Sequence, residues 1–226
     1  MSEVVAVVEG QTEQTFIRDH LAGHLEGRGV TIWSRFPGRA FRRCGVPSWE
    51  SVRNDIFRTL RERRGRICTT MFDFYGMPHN WPGRSQAATM PIERKGVFVE
   101  QALLDDLANH AGQDFHRDLF IPYVQVHEFE ALLFAEVSEM AKTLAVITQS
   151  SQASLHSKFS TILSEAGQPE AINDSFETCP SRRIRGIVPA YSKPLHGPII
   201  AAHIGLDILR SRCPHFGQWL TRLESL

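Results

Sequence analysis

The chain opens on Val4-Val5-Ala6-Val7-Val8, a β-branched apolar run that stops at Glu9-Gly10. A run this short, closed by glycine, reads as a buried strand rather than a helix. The same device recurs three times, and each time a segment of helical spacing intervenes. After Thr12, expected to be an N-cap, apolar residues at 16, 17, 21 and 25 follow a helical period up to Gly27 or Gly29. Val30–Trp33 is the second expected strand, 48–63 a helix with Pro47-Ser48 at its start, and Ile67–Phe72 the third strand. Residues 76–91, rich in glycine and proline, read as a long loop before a helix at 93–110. Leu119–Val126 is the fourth strand, and the apolar set 129, 132 and 133 leads into another helix. A β-α-β-α-β-α-β-α order predicts an α/β fold: a central, mostly parallel sheet with helices on both faces. Beyond about 136 no strand is evident. Helices are expected at about 150–165, 180–188, 197–212 and 215–224. The expected organisation is an α/β core over 1–136 and a helical C-terminal region over 137–226, packed on that core.

Composition narrows the class. Hydrophobic residues are 42% and charged residues 22% of 226, which excludes a disordered chain, a collagen-like chain and a disulfide scaffold. No apolar run approaches a membrane span. The N-terminus has no basic segment before its apolar run and meets Glu9 too early for a signal peptide. A cytoplasmic protein with no membrane partner is therefore expected. Cysteines 44, 68, 179 and 213 form no CxxC pair. They read as reduced thiols, with a zinc site assembled across the fold as the alternative. The formal net charge is zero, yet residues 28–66 carry eleven arginines against Glu50, Asp55 and Glu62. Arginine favours planar, bidentate contacts with phosphate or carboxylate. That segment predicts either nucleic-acid backbone contacts or a set of internal ion pairs.

Glu9, Asp73 and the pair Glu128/Glu130 each follow a predicted strand. In an open parallel sheet those ends border one crevice, where ligands bind. Carboxylates gathered there repel one another, and a divalent cation with oxygen ligands, magnesium or manganese, relieves the repulsion. Such a site beside arginines suits phosphodiester cleavage. Every member also has a structural reading. Glu9 and Glu13 fit first-turn helix acids and Asp73 a strand-end turn residue. One of Glu128 and Glu130 fits a dipole-complementary acid, and His127 a packing histidine.

The motifs carry a resemblance. Val8-Glu9-Gly10-Gln11-Thr12-Glu13 is similar to the first motif of TOPRIM-type nuclease domains, where a glutamate closes the first strand. Met71-Phe72-Asp73-Phe74-Tyr75-Gly76 takes the place of their Asp-x-Asp motif, with Tyr75 where the second aspartate stands. With His127-Glu128-Phe129-Glu130, Pro180-Ser181-Arg182-Arg183, Tyr191-Ser192-Lys193 and His196-Gly197-Pro198, the chain resembles the bacterial TOPRIM-like domain-of-unknown-function family 4276 over most of its length. The resemblance implies a TOPRIM-like, Rossmann-like fold and a magnesium-dependent nuclease acting on DNA or RNA. It also implies an ABC- or AAA-type ATPase partner in anti-phage defence, similar to the OLD-family nucleases. Carried over by position, Glu9 is the catalytic glutamate and Asp73 the first metal-binding aspartate. Glu130, with Glu128, is the third acid. Lys193, expected in a loop with His196, is assigned to the scissile phosphate. Arg39, Arg42, Arg43, Arg182 and Arg183 are the expected nucleic-acid contacts. Gly10, Glu13, Tyr75, His127 and His196 complete the candidate set. The alternative is a non-catalytic adaptor built on the same fold, and Tyr75 in place of an aspartate favours it. A third expectation is an enzyme acting on small phosphate esters.

Overall fold

The computed structural model describes residues 1–38, 46–111, 115–172 and 178–226. The chain forms two compact units, Met1–Gln125 with Thr221–Leu226, and Val126–Leu220.

The first unit is built on a parallel sheet. Its strands are β1 (Ser2–Val8), β2 (Val30–Arg35), β3 (Ile67–Asp73), β4 (Phe120–Ile121) and β5 (Val124–Gln125). The order is β2-β1-β3-β4, and β5 also pairs with β3. Between them run α1 (Gln11–Phe16), a π-helical turn (Ile17–Leu21), α2 (Ala22–Glu26), α3 (Trp49–Glu62), α4 (Arg84–Ala87) and α5 (Ile92–Ala111).

Register shows which apolar strand residues share a face. Val5 pairs with Cys68, Cys68 with Phe120, and Phe72 with Val124, so these side chains share one face. Val7, Cys68, Phe72, Phe120 and Val124 pack there against Trp49, Val52 and Ile56 of α3 and Val99, Leu103 and Leu107 of α5. Val4 pairs with Ile32 on the opposite face, where the π-helical turn and α2 lie against β2. Both faces are thus covered, the α/β arrangement that the element order predicts.

Three local readings are corrected. Thr12 lies inside α1, and the cap position is Gly10, which makes no side-chain cap bond. The fourth strand is two short segments, because Pro122 has no N–H to give the ladder. The Thr70 hydroxyl repairs the gap: its Oγ1 accepts from Tyr123 N at 2.9 Å and donates to Tyr123 O at 3.0 Å. The segment 76–91 is not an unsupported loop. Met77 and Trp81 sink into the core cluster, Trp81 Nε1 donates to Pro47 O at 3.1 Å, and α4 forms beyond Gly83.

The second unit carries only helices among its described residues. A 3-10 helix (Phe129–Glu136) leads into α6 (Val137–Thr148), followed by α7 (Gln152–Ala166), α8 (Pro180–Ile187), α9 (Lys193–Ile204) and α10 (Leu206–Arg212). The last helix, α11 (Pro214–Glu224), begins here. α6 packs on α7 and α9, and Phe134 meets Phe159 edge-on at 5.9 Å. The expected helix at 197–212 is two helices broken at Gly205, whose φ of 82° is in the left-handed region. Lys193 and His196 lie in the first turn of α9 and not in a loop. Pro194 is tolerated there because first-turn amides have no helical partner. Among the described residues, no helix is long and apolar enough to cross a membrane.

Candidate functional site

Glu9 and Asp73 close two adjacent strands. Glu9 N donates to Met71 O at 3.1 Å, which carries the β1–β3 pairing one residue past β1. The Glu9 side chain then turns onto the end of β3, where Oε2 accepts from Asp73 N at 2.8 Å. Gly76 makes the seat. A Cβ at Gly76 would lie 2.6 Å from Glu9 Oε1, so only glycine leaves the carboxylate its place. The backbone closes a turn there, with Gly76 N and Met77 N both donating to Asp73 O, at 3.0 and 3.2 Å. Phe74 N donates to Gln125 O at 2.9 Å and keeps this turn attached to β5. Asp73 is buried and Glu9 half-buried.

Glu13 is buried in the first turn of α1. Its Oε2 lies 3.2 Å from where a Cβ at Gly10 would be, so Gly10 leaves room for that carboxylate. Tyr75, in the place of the second aspartate, is half-buried, packs against the core cluster and meets Phe74 edge-on at 5.7 Å. Sequence reasoning missed Arg84. It is 5% exposed, donates from Nε to Phe74 O at 2.8 Å, and holds its guanidinium 3.9 Å from the Phe74 ring centre. A lone arginine in a Gly/Pro-rich segment has no period to mark it.

The second unit gathers a different acidic group. Glu128 precedes the 3-10 helix. Its Oε2 accepts from Ser181 N at 2.9 Å, and its Oε1 from Ser181 Oγ at 3.1 Å and Lys193 Nζ at 2.9 Å. Ser181 is in the first turn of α8, so this carboxylate also faces the positive end of a helix. Glu130 is fully buried. Tyr191 Oη donates to its Oε1 at 3.2 Å, and Lys193 Nζ lies 3.0 Å from its Oε2. One ammonium therefore bridges two carboxylates with opposite outcomes. Burial alone would raise the Glu128 carboxyl, but the Lys193 charge and the Ser181 donors hold it below the usual carboxylate range. Burial pushes Glu130 up, the Glu128 charge adds to that, and Lys193 offsets it only in part. Burial, helped by Glu130, raises the Tyr191 phenol.

His127 is buried with φ of 70°, a strained backbone for a side chain of this size, immediately before Glu128. His196 accepts from Ser192 N at 3.0 Å and stacks near Tyr191, and burial lowers its pKa. Arg183 donates to Thr178 O at 2.9 Å and reaches Glu165, beside Arg182 in the first turn of α8.

The arginine-rich segment resolves mostly into internal pairs. Arg35 and Arg66 share Glu62, Arg53 meets Asp106, Arg58 meets Asp55, Arg63 and Arg66 share Glu3, and Arg28 meets Glu224. Arg39, Arg42 and Arg43 lie outside the described residues. Among the described residues, no three His, Cys, Asp or Glu side chains group so as to hold a metal ion. Cys68, Cys179 and Cys213 are free thiols in the interior. The first unit offers a pair of carboxylates at adjacent strand ends. An all-oxygen pair suits magnesium, which takes one or two carboxylates and completes its shell with water and substrate phosphate.

The fold is that of an α/β protein with a parallel sheet and acids at two adjacent strand ends. Residues 8–224 match the family described as a domain of unknown function, DUF4276, and the chain belongs to that family. It is similar in structure to the C-terminal region of the Burkholderia pseudomallei OLD protein, with a TM-score of 0.50 at 14% identity over 99% of this chain and 97% of that one. It is also similar to the C-terminal region of the Xanthomonas campestris pv. campestris OLD protein, with a TM-score of 0.45 at 14% identity over 100% and 95%. Comparison with curated proteins finds no match.

Proposed function

We propose that the protein is a magnesium-dependent nuclease that hydrolyses phosphodiester bonds of DNA or RNA. The observation that carries this reading is the Glu9 carboxylate held on Asp73 N at the ends of two adjacent parallel strands. Glu9 and Asp73 would hold the cation, whereas Glu128 and Glu130, the other expected ligands, share the Lys193 ammonium. When bound, magnesium supplies the Lewis acid that polarises the phosphodiester. The chain's own part is positional. Gly76 and Asp73 N fix the Glu9 carboxylate before substrate arrives, so no reorganisation is needed during the reaction. The exposed arginines would contact the backbone without reading sequence, while the Lys193 ammonium, expected at the scissile phosphate, bridges Glu128 and Glu130 instead. The family resemblance supports an ATPase partner and a role as the effector of an anti-phage system.

The test is cleavage of plasmid, single-stranded DNA and total tRNA with magnesium or manganese. Wild type is expected to cut in a metal-dependent way, and folded Glu9→Gln and Asp73→Asn proteins to be inactive. Full activity in either variant rejects the assignment. A non-catalytic adaptor is the second reading, supported by Tyr75 packing on Phe74 in place of a second aspartate. Oligonucleotide or ATPase binding by wild type, with neither metal binding nor cleavage, decides for it.

A further inference from the structure

Most of the arginines near the sheet are cancelled by carboxylates, but Arg84 is not. It is buried, yet among the described residues no carboxylate pairs with it. Its one hydrogen bond, from Nε to Phe74 O, uses the inner edge of the guanidinium. Its terminal nitrogens donate to no described residue. The guanidinium lies 3.9 Å from the Phe74 ring centre and 5.9 Å from that of Tyr75. On the same Phe74 ring, at 5.7 Å, sits the Lys95 ammonium, a half-buried cation that also pairs with no described carboxylate.

Two cations on one aromatic ring repel each other, and burying one of them without a counter-charge is costly. The chain goes out of its way to do so. Gly83 turns with φ of 75° and approaches α5 so closely that a Cβ there would lie 2.8 Å from Ala102 Cβ. That turn delivers Arg84 onto Phe74, the residue following Asp73. Phe74 follows Asp73 directly, so the ring that carries both cations belongs to the residue just past the strand-end acid.

We infer that Arg84 and Lys95 form an anion clamp for one phosphate group of the substrate, beside Asp73. The planar fork of Arg84 takes two phosphate oxygens, and Lys95 adds a point charge. The clamp rests on the nuclease reading only for the ligand's identity as a phosphodiester in a strand. Its chemistry would equally take a small phosphate ester.

The experiment is binding in EDTA, without metal. A labelled single-stranded oligonucleotide is followed by anisotropy, and inorganic phosphate and a nucleoside monophosphate by calorimetry. The proteins are wild type, Arg84→Gln, Arg84→Lys and Lys95→Ala, each checked by thermal melting. Arg84→Gln is expected to weaken oligonucleotide binding about tenfold or more and Lys95→Ala about threefold. Arg84→Gln should reduce the salt slope by up to about 0.7, the value for one phosphate contact on a single strand, and Lys95→Ala by less. Arg84→Lys should keep the slope and lose affinity. If Arg84→Gln does not fold, the half-buried Lys95→Ala carries the test. Wild-type affinity and slope in the folded variants overturn the clamp, while cleavage in the separate assay leaves the nuclease reading standing. Binding of the monophosphate alone, lost in Arg84→Gln, keeps the clamp and rejects the nuclease reading. If neither oligonucleotide nor phosphate ester binds wild type, the clamp is rejected.

Discussion

Two acidic groups in this molecule are held in place by different means. In the first unit, the Glu9 carboxylate rests on a main-chain N–H and in the space left by Gly76. In the second, Glu128 and Glu130 are tied by the Lys193 ammonium, with Ser181 and Tyr191 adding hydrogen bonds. A backbone amide positions a carboxylate without cancelling its charge. An ammonium positions it and cancels the charge together. The first arrangement places one carboxylate through the main chain, and the second ties two carboxylates to one shared cation.

The comparison breaks most visibly at Lys193. Lys193→Met leaves Glu128 and the fully buried Glu130 without their shared cation, so the cost should be about 3–5 kcal/mol, read from urea unfolding. A loss below about 1 kcal/mol would show that the cation is not what holds the pair. Glu9→Gln should cost far less stability, because an amide oxygen can still accept from Asp73 N. It should lower metal-dependent cleavage by roughly a hundredfold or more. Gly76→Ala sharpens the same contrast: the added methyl displaces the Glu9 carboxylate without changing any charge. Cleavage should fall about tenfold, a change of about 1.4 kcal/mol in barrier, with the fold intact by circular dichroism.

The pH dependence separates the two members of the second group. The Glu128 carboxyl is lowered in the fold, so its contribution to stability is present above its unfolded pKa and is lost as pH falls through the folded one. The Glu130 carboxyl is raised, so its contribution is present below its unfolded pKa and is lost as pH rises through the folded one. On acidification the two oppose each other. Glu130→Gln removes the opposing contribution, and its stability should drop more steeply than wild type between neutral and mildly acid pH. Glu128→Gln should instead be flatter than wild type in the more acid range below the unfolded carboxylate pKa. Parallel curves for wild type and both variants would contradict the assignment. Tyr191→Phe, which deletes one hydrogen bond to Glu130, should lower stability by about 1–2 kcal/mol, read from urea unfolding.

Much of the architecture was legible because strands and helices leave short-range patterns. The apolar run before Glu9 and the one before Asp73 each mark a buried parallel strand, and Pro47-Ser48 marks the start of α3. The candidate acids were legible for the same reason, since each follows a strand. Proline misled twice. Pro194 suggested a loop where it opens α9, and Pro122 interrupts a strand that its apolar neighbours made look continuous. Arg84 left no pattern, because its meaning depends on the Phe74 ring beneath it.

By itself the sequence determined the element order, the parallel α/β class and the placing of carboxylates at strand ends. Those follow from periods of two and 3.6 residues and from glycine and proline, all of which act within a few residues. Only the tertiary structure decided which charges are spent and which are kept. Eleven arginines in one segment look like a single basic surface, but Glu3 and Asp106, far away in the chain, neutralise several of them. The same holds for the last residues. Thr221–Leu226 join the first unit, where Ser2 Oγ donates to Leu226 O at 2.9 Å and His24 meets Glu224 at 2.5 Å. Pairing across such separations depends on strand register and helix packing, which bring together residues that no local pattern relates.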